Sequence, residues 1–493
     1  MTTGGAENDY MKLTREILRL ALPSILANIT VPLVGMVDIA IAGHLGASGY
    51  GAAALIGGIS VGSMLFDVLY WNFAFLRTGT GGLTAQAYGT GSDTGHILIR
   101  ALRIALLSGL ALIAVQWLVI QGAFLVVKCT PEVRELAIQY FRIRIWAAPA
   151  TLSLFAFKGW FIGMQDSVRP MTADLLVNGI NIAASLLLAL GLGGSSGILS
   201  GSGSTLPGSA TIIPALGFRG IALGTVIAQW SGFTYCVAAI LHRYRHHFTS
   251  PVLKNGQNQG CEAQHSAPVL KNGQKQGRET QNNGFFALNR DLFLRSVGMV
   301  AVYIGFTVIS AGFGDMMLAV STIIMKLLMI FSYFTDGFAY AGEALTGRFI
   351  GEKSQDGVHS TVKQTFAWGA GVALLFMAVY GFGGTWLFSL MTSDTSVIDA
   401  GRQFIPWLLL MPAMGIAAFV WDGIFIGATA GRELRNSTLL CAIGFFGVWF
   451  AGRLIAPESS PETAIHILMG AYFTHLAIRT VYLTARARKA IGI

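Results

Sequence analysis

Asp38 is the residue whose placement most demands a chemical reason. It is the single carboxylate inside an apolar run from Ile17 to Gly46 (ILRLALPSILANITVPLVGMVDIAIAGHLG), which also carries Pro23 and Pro32. Burying such a group in lipid costs roughly 2.5 to 3.5 kcal/mol on insertion scales, so an intramembrane carboxylate marks a functional site by default. Farther along, Asp174, Asn178, Asn181 and Ser185 recur at i, i+4, i+7 and i+11. At about 100° per residue this is one narrow helix stripe, which is expected to face the same hydrated pocket as Asp38. The bland reading is helix-to-helix hydrogen bonding worth about 1 kcal/mol per contact. Thr225 and Gln229 lie one turn apart in the next run, suited equally to lining the pocket or to satisfying a neighbour's backbone.

Three roles are open to Asp38: a static ion pair, a satisfied structural carboxylate, or a titrating group. Burial favours the neutral acid, and an adjacent cation favours the carboxylate. No Lys or Arg lies in the deep part of its own run, so reversible protonation is the expectation. The two prolines remove backbone hydrogen bonds and permit a bend that follows protonation.

The carboxy-terminal half has its own charges. Lys326 and Asp336 fall within one apolar run, Asp315 near its outer turn, Glu343 and Arg348 near its inner end, and Asp422 at the inner end of a later run. Lys326 and Asp336, ten residues apart, cannot touch along one helix, so each needs a partner elsewhere. Glu343 and Arg348 read as an inner-surface charge cluster.

Enzyme chemistry finds little support. Gly58-Ile59-Ser60-Val61-Gly62 fits GxSxG but sits in an apolar helical run, not at a strand-to-helix elbow. Asn28-Ile29-Thr30 fits a glycosylation acceptor and is buried in a span. HExxH, the Walker A lysine loop and GxGxxG are absent from the sequence. The four cysteines (Cys129, Cys236, Cys261, Cys441) have no CxxC or Cys/His spacing, which argues against a structural metal or a disulfide framework.

The elements that must position these residues are membrane helices. Of 493 residues 53% are hydrophobic and 12% charged, about half the charge of a soluble domain. Runs long enough to span a bilayer number twelve, at about 15–45, 50–77, 98–124, 137–163, 170–193, 215–242, 291–314, 317–346, 364–390, 401–427, 434–455 and 463–485. Residues 1–10 lack a basic n-region, so the first run is expected to stay in the mature chain. Seven of the 33 Lys and Arg (Lys128, Arg134, Arg142, Arg144, Arg219, Arg402, Arg453) fall at the outside if both termini are cytoplasmic; Lys326 lies within a span and the rest fall inside. That asymmetry fixes the expected orientation. The net charge of +9 is scattered through short loops, and nucleic acid is not expected as a partner.

A polar stretch near residues 248–285 repeats itself (PVLKNGQNQG at Pro251 to Gly260, PVLKNGQKQG at Pro268 to Gly277). It holds too little apolar surface to offset its ordering entropy and reads as a flexible cytoplasmic linker. It separates a six-helix lobe at 1–247 from another at 286–493. The halves echo each other through GWFIG at Gly159 to Gly163 and GIFIG at Gly423 to Gly427, the parallel-repeat plan of secondary transporters. A Gly- and Ser-rich loop, Gly191 to Ser209, reads as a flexible insertion.

The ordered motifs resemble a known family. ALPSILANITVPLVGMVDIAIAGHLG, FLRTGTGGLTAQAYG (Phe75 to Gly89), KGWFIGMQDSVRPM (Lys158 to Met171), LVNGINIAAS (Leu176 to Ser185), GFRGIALGTVIAQ (Gly217 to Gln229), FTDGFAYAGEALTG (Phe334 to Gly347) and DGIFIGATAGRELRN (Asp422 to Asn436) are similar to the multidrug and toxic compound extrusion (MATE) family. FLRTGTGG and DGFAYAGEAL resemble its DinF-type branch. The resemblance implies an all-α integral membrane protein, twelve helices in two six-helix lobes set as a V, and cation-coupled export of amphipathic, often cationic, compounds. It implies that Asp38 binds the coupling proton or sodium, with Asn181 and Thr225 beside it. Ser185 departs from the family pattern, which places an aspartate there. Losing that carboxylate weakens a sodium site, which wants several hard oxygens, and favours protons.

The expectation is therefore a proton-driven antiporter of the plasma (inner) membrane, monomeric, with small organic substrates and the lipid bilayer as partners. No organic cofactor is expected, only the coupling H+ or Na+. Lys326, Asp336 and Asp422 are the carboxy-terminal candidates. The rivals are a lipid-linked oligosaccharide or lipid flippase, which would carry a strongly cationic cavity, and a sodium-coupled drug antiporter.

Overall fold

The computed structural model describes residues 3–45, 51–127, 129–191, 214–249, 272–392, 395–458 and 460–491, and among these it is helical without strands. Most of the expected linker (250–271), nearly all of the Gly- and Ser-rich loop and Cys261 lie outside the described residues.

The first lobe comprises α1 (Thr3–His44), α2 (Ala52–Trp71), α3 (Phe75–Thr90), α4 (Gly95–Ala114), α5 (Gln116–Val126), α6 (Pro131–Arg144), α7 (Ala148–Gly163), α8 (Val168–Leu190) and α9 (Phe218–Arg243). After the short α10 (His246–Thr249), the second comprises α11 (Asn272–Ala311), α12 (Asp315–Gly351), α13 (Gln355–Met391), α14 (Thr395–Arg402), α15 (Ile405–Gly427), α16 (Gly431–Ile455) and α17 (Pro461–Ile491). Among the described residues, eleven helical stretches are long and apolar enough to cross a membrane. The twelfth span is α17, whose polar end carries Arg486, Arg488 and Lys489. The protein is thus a twelve-span, two-lobe membrane protein.

Two expectations about elements need correction. The second span does not end near residue 77: after a turn at residues 72–74, α3 carries it on to Thr90. The glycines of TGTGG let α3 pack backbone to backbone. A Cβ at Gly82 would overlap the Ile426 carbonyl of α15, and one at Gly89 would overlap the Arg348 carbonyl of α12. Close approach of this kind is how small residues join membrane helices. Second, helix α11 already begins at Asn272, inside the stretch expected to be linker.

Helix α1 runs unbroken through both prolines. Pro23 leaves the Arg19 carbonyl without its intrahelical donor, and the Ser167 hydroxyl donates to it at 3.1 Å. Next to Pro32, the Thr30 hydroxyl donates to Ala27 O and accepts from Asn178 Nδ2 at 2.7 Å. Just beyond α9, the Tyr244 hydroxyl donates to Asp166 Oδ2 at 2.6 Å. Burial, together with that carboxylate, pushes the phenol well up, so it remains a donor.

The lobes meet at the end carrying both chain termini. There Arg77 of α3 binds Glu343 of α12, Arg348 reaches Glu16, Thr14 bonds Gln364, and Gln86 donates to Gly427 O. Phe349 packs against the buried residues both of α1 and of α17.

Candidate functional site

Asp38 lies six residues from the end of α1 and is 5% exposed. Its neighbours come from α8, α9 and α6. The Ser185 hydroxyl is within hydrogen-bond reach of the carboxylate and also approaches Ile221 O at 3.3 Å. One turn back, Asn181 Nδ2 donates to Thr225 Oγ1 at 3.0 Å, tying α8 to α9. Asn178 reaches α1 itself through Thr30. So the stripe on α8 does turn toward α1 and α9, as helical spacing requires, with one exception. Asp174, at its far end, forms an ion pair with Lys158 of α7 and belongs to that contact, not to the Asp38 pocket. Gln229 is half-buried on the face of Thr225 and is not brought to Asp38 by any hydrogen bond among the described residues.

Two acceptor oxygens in this pocket have no hydrogen-bond partner: Asp38 Oδ1 and Asn181 Oδ1. Buried acceptors in a membrane protein are normally satisfied. This pair of orphans leaves room for a proton or a small cation.

The expectation that no cation faces Asp38 holds for its own helix only. Arg144, at the end of α6, acts on it electrostatically, although Asp38 makes no contact ion pair among the described residues. The guanidinium hydrogen-bonds Ser63 Oγ at 3.2 Å and Tyr140 Oη at 3.1 Å, and lies 4.9 Å from the Phe66 ring centroid. It also acts on Asp67 of α2. Sequence reasoning missed both. The cost rule that singles out Asp38 applies equally to Asp67, the one carboxylate in the run from Ala54 to Trp71. Arg144 was assigned by its position in the chain to an outer loop end.

The carboxy-terminal candidates separate. Asp422 is not a lone carboxylate at an inner helix end. It is buried between two guanidiniums, Arg295 of α11 at 2.7 Å and Arg479 of α17. Nor do Glu343 and Arg348 form a cluster. Five residues apart, they point about 140° away from one another: Glu343 is fully buried against Arg77 at 3.2 Å, while Arg348 bonds Glu352 and Glu16 near the surface. Asp336 finds its partners in Arg77, Arg479 and Arg295, which all act on it. Lys326 acts across the lobes on Asp67, as Arg144 does more strongly, without a contact ion pair among the described residues. Three arginines and three carboxylates thus form one charge-balanced group beneath the interface, with Arg77 the only contribution from the first lobe.

A two-lobed bundle with a buried carboxylate in one lobe and an ionic latch between the lobes is a membrane transporter architecture. The MatE family profile matches residues 23–187 and 292–451, one stretch in each lobe. The chain is similar to DNA damage-inducible protein F of Escherichia coli (strain K12), 30% identical over 96% of this chain and 92% of that protein. It is also similar to Protein DETOXIFICATION 44, chloroplastic, of Arabidopsis thaliana, 22% identical over 95% of this chain and 81% of that one. Among solved structures, a mutant of the Vibrio cholerae MATE transporter VcmN superposes with a TM-score of 0.76 at 14% identity, covering 98% of both chains. An outward-facing multidrug resistance MATE family transporter gives 0.72 at 16% identity, covering 97% of this chain and 96% of that one. The chain belongs to the MatE family of multidrug and toxic compound efflux transporters, and is a secondary transporter rather than an enzyme.

Proposed function

We propose that this transporter is a proton-driven antiporter that exports amphipathic or cationic organic compounds from the cytoplasm by alternating access. The observation that carries the reading is the Asp38 carboxylate, buried with Oδ1 unpartnered beside Ser185 and near Arg144. A proton arriving from outside attaches to Asp38. It neutralises the carboxylate, frees Arg144 to lean on Asp67 and Tyr140, and releases a cation held by the pocket. Loss of the proton inside restores the carboxylate for the next substrate. The lobes joined at the terminal end give the outward-open half of the cycle, and parting them at Arg77 and Glu343 gives the other.

The charge asymmetry of the loops supports both termini in the cytoplasm, in the inner membrane, and the chain is read as a monomer with the linker near 248–285 joining its lobes. Sodium is the second reading, favoured by the free Asn181 Oδ1 next to Thr225. Serine at position 185 counts against it by removing a negative ligand. The cationic groups that a lipid flippase would need are present but matched: each of Arg77, Arg295 and Arg479 has a carboxylate within its reach.

Transport into inverted membrane vesicles tests this, with a proton or a sodium gradient imposed separately and native protein compared with Asp38→Asn. Proton-driven uptake of an organic cation, abolished in the variant, is expected. Undiminished pH-coupled uptake by Asp38→Asn overturns the assignment, and uptake driven by sodium alone transfers it to the second reading.

A further inference from the structure

Lys326 takes no part in the Asp38 cycle, and Asp67 enters it only through Arg144. Both lie within apolar helical spans, Asp67 on α2 and Lys326 on α12, and both side chains are exposed. Charged groups at membrane depth turn toward protein or water, not toward lipid, and the aromatic contacts show which way these two turn. Trp71, one turn along α2 from Asp67, packs edge-on against Tyr303 of α11, with ring centroids 4.9 Å apart. The Tyr303 hydroxyl in turn approaches Met329 Sδ at 3.8 Å. Met329 is three residues from Lys326, hence on the same face of α12, and Tyr333, seven residues on, extends that face. The α2 face of the first lobe and the α12 face of the second therefore look at each other across Tyr303.

The two charges act on one another, yet among the described residues no ion pair joins them at contact distance. A carboxylate on one lobe, acted on by Arg144 and by the Lys326 ammonium of the other, with no contact ion pair to Lys326 among the described residues and aromatic rings beside both, presents one pole of each sign. We propose that these facing poles form a bipolar substrate subsite. Asp67 receives the ammonium and Lys326 the carboxylate of a zwitterionic compound, and Trp71, Tyr303 and Tyr333 hold its aromatic body. A ligand bearing both charges satisfies both poles. A simple cation satisfies Asp67 and leaves Lys326 facing it, which is the unpaired-charge penalty that sets specificity. Because one pole stands on each lobe, such a ligand bridges the lobes.

The inference rests on the reading of the protein as an organic-compound exporter, and the test separates the two. Binding of three matched fluorophores to the full-length protein in detergent is measured by energy transfer from tryptophan: Nε-dansyl-lysine (ammonium and carboxylate), dansylcadaverine (ammonium only) and dansyl-aminocaproate (carboxylate only). The expected result is at least tenfold tighter binding of dansyl-lysine than of either other compound. Lys326→Gln should abolish that preference, weakening dansyl-lysine and dansyl-aminocaproate while tightening dansylcadaverine. Asp67→Lys should weaken dansyl-lysine, and the exchanged pair Asp67→Lys with Lys326→Asp should restore it. Equal binding of all three compounds to the native protein, or a preference that survives Lys326→Gln, overturns the subsite without touching the antiport reading. Loss of Asp38-dependent uptake of every compound would instead overturn the antiport reading.

Discussion

The latch between the lobes can be broken by a change of one charge, Glu343→Gln. In the closed arrangement Glu343 is fully buried, with Oε2 3.2 Å from Arg77 Nη1, and Arg77 lies over the Tyr340 ring at 4.4 Å. Glutamine keeps the shape and one acceptor but removes the charge. The Arg77 guanidinium is then buried without its partner whenever the lobes close, and is hydrated whenever they part. Breaking a buried pair from one side costs about 3 to 5 kcal/mol. Asp336 also acts on Arg77, so the lower end, about 3 kcal/mol, is expected here. At 1.4 kcal/mol per decade that moves the open-to-closed equilibrium roughly 150-fold toward the open form.

Pulsed electron paramagnetic resonance between spin labels at Ser92→Cys and Lys353→Cys reads the gap directly. The background is Cys129→Ser, Cys261→Ser; Cys236 and Cys441 are buried. The variant should show a longer distance population that the parent lacks. Adding Arg77→Met should return much of the short population, because no orphan charge then remains. An unchanged distance distribution in Glu343→Gln, with native thermal stability, would refute the idea that this pair holds the lobes together.

Two further outcomes follow from the same interface. Asp422→Asn strips the shared counter-charge from Arg295 and Arg479 and should lower the unfolding free energy in mixed micelles by about 3 to 5 kcal/mol. Arg295→Met leaves the Arg479 pair in place and should cost clearly less, and equal losses would contradict the geometry. Gly82→Ala drives a Cβ into the Ile426 carbonyl, which as backbone cannot rotate away. Overpacking of about 1 to 3 kcal/mol should lengthen the same interlobe distance while leaving Asp38 unaltered, and a native distance would show that α3 can yield.

What the sequence made legible follows from what is periodic along one helix. The cost of a lone carboxylate in an apolar run found Asp38, and the helical repeat found Asn178, Asn181 and Ser185. A stripe needs no knowledge of the neighbour it faces. What stayed hidden depends on which helices meet. Arg77 and Glu343 are 266 residues apart, Arg295 and Asp422 127, and nothing local to either residue announces the other. Counting Lys and Arg by side places Arg144 at the outside and Arg295 and Arg479 at inside ends or loops, although the structure buries or half-buries each of them. The close packing of α3 was hidden for a related reason: the same glycine-rich composition serves a flexible loop and a helix that must approach another backbone closely, and only the partner helix distinguishes them.

That distinction bears on how the two lobes divide the work. In the first lobe a buried carboxylate is left with an unpartnered oxygen, and the nearest cation stays beyond contact. In the second, Asp422 is held in contact by Arg295 and Arg479 and Glu343 by Arg77 through one oxygen, its Oε1 having no partner, while Asp336 feels all three arginines without a contact ion pair among the described residues. A carboxylate already neutralised by a guanidinium gains little from a proton or a metal cation. In the proposed cycle the coupling step belongs to the first lobe, while Arg295 and Arg479 fix their helices to Asp422 and Glu343 grips Arg77. A single arginine then reports the state of the second lobe to the first, since α3, which carries it, also packs against α7 and α12. The proposed cycle parts Arg77 from Glu343, together with the Arg348–Glu16 and Thr14–Gln364 contacts, while the Asp422 triad lies wholly within the second lobe.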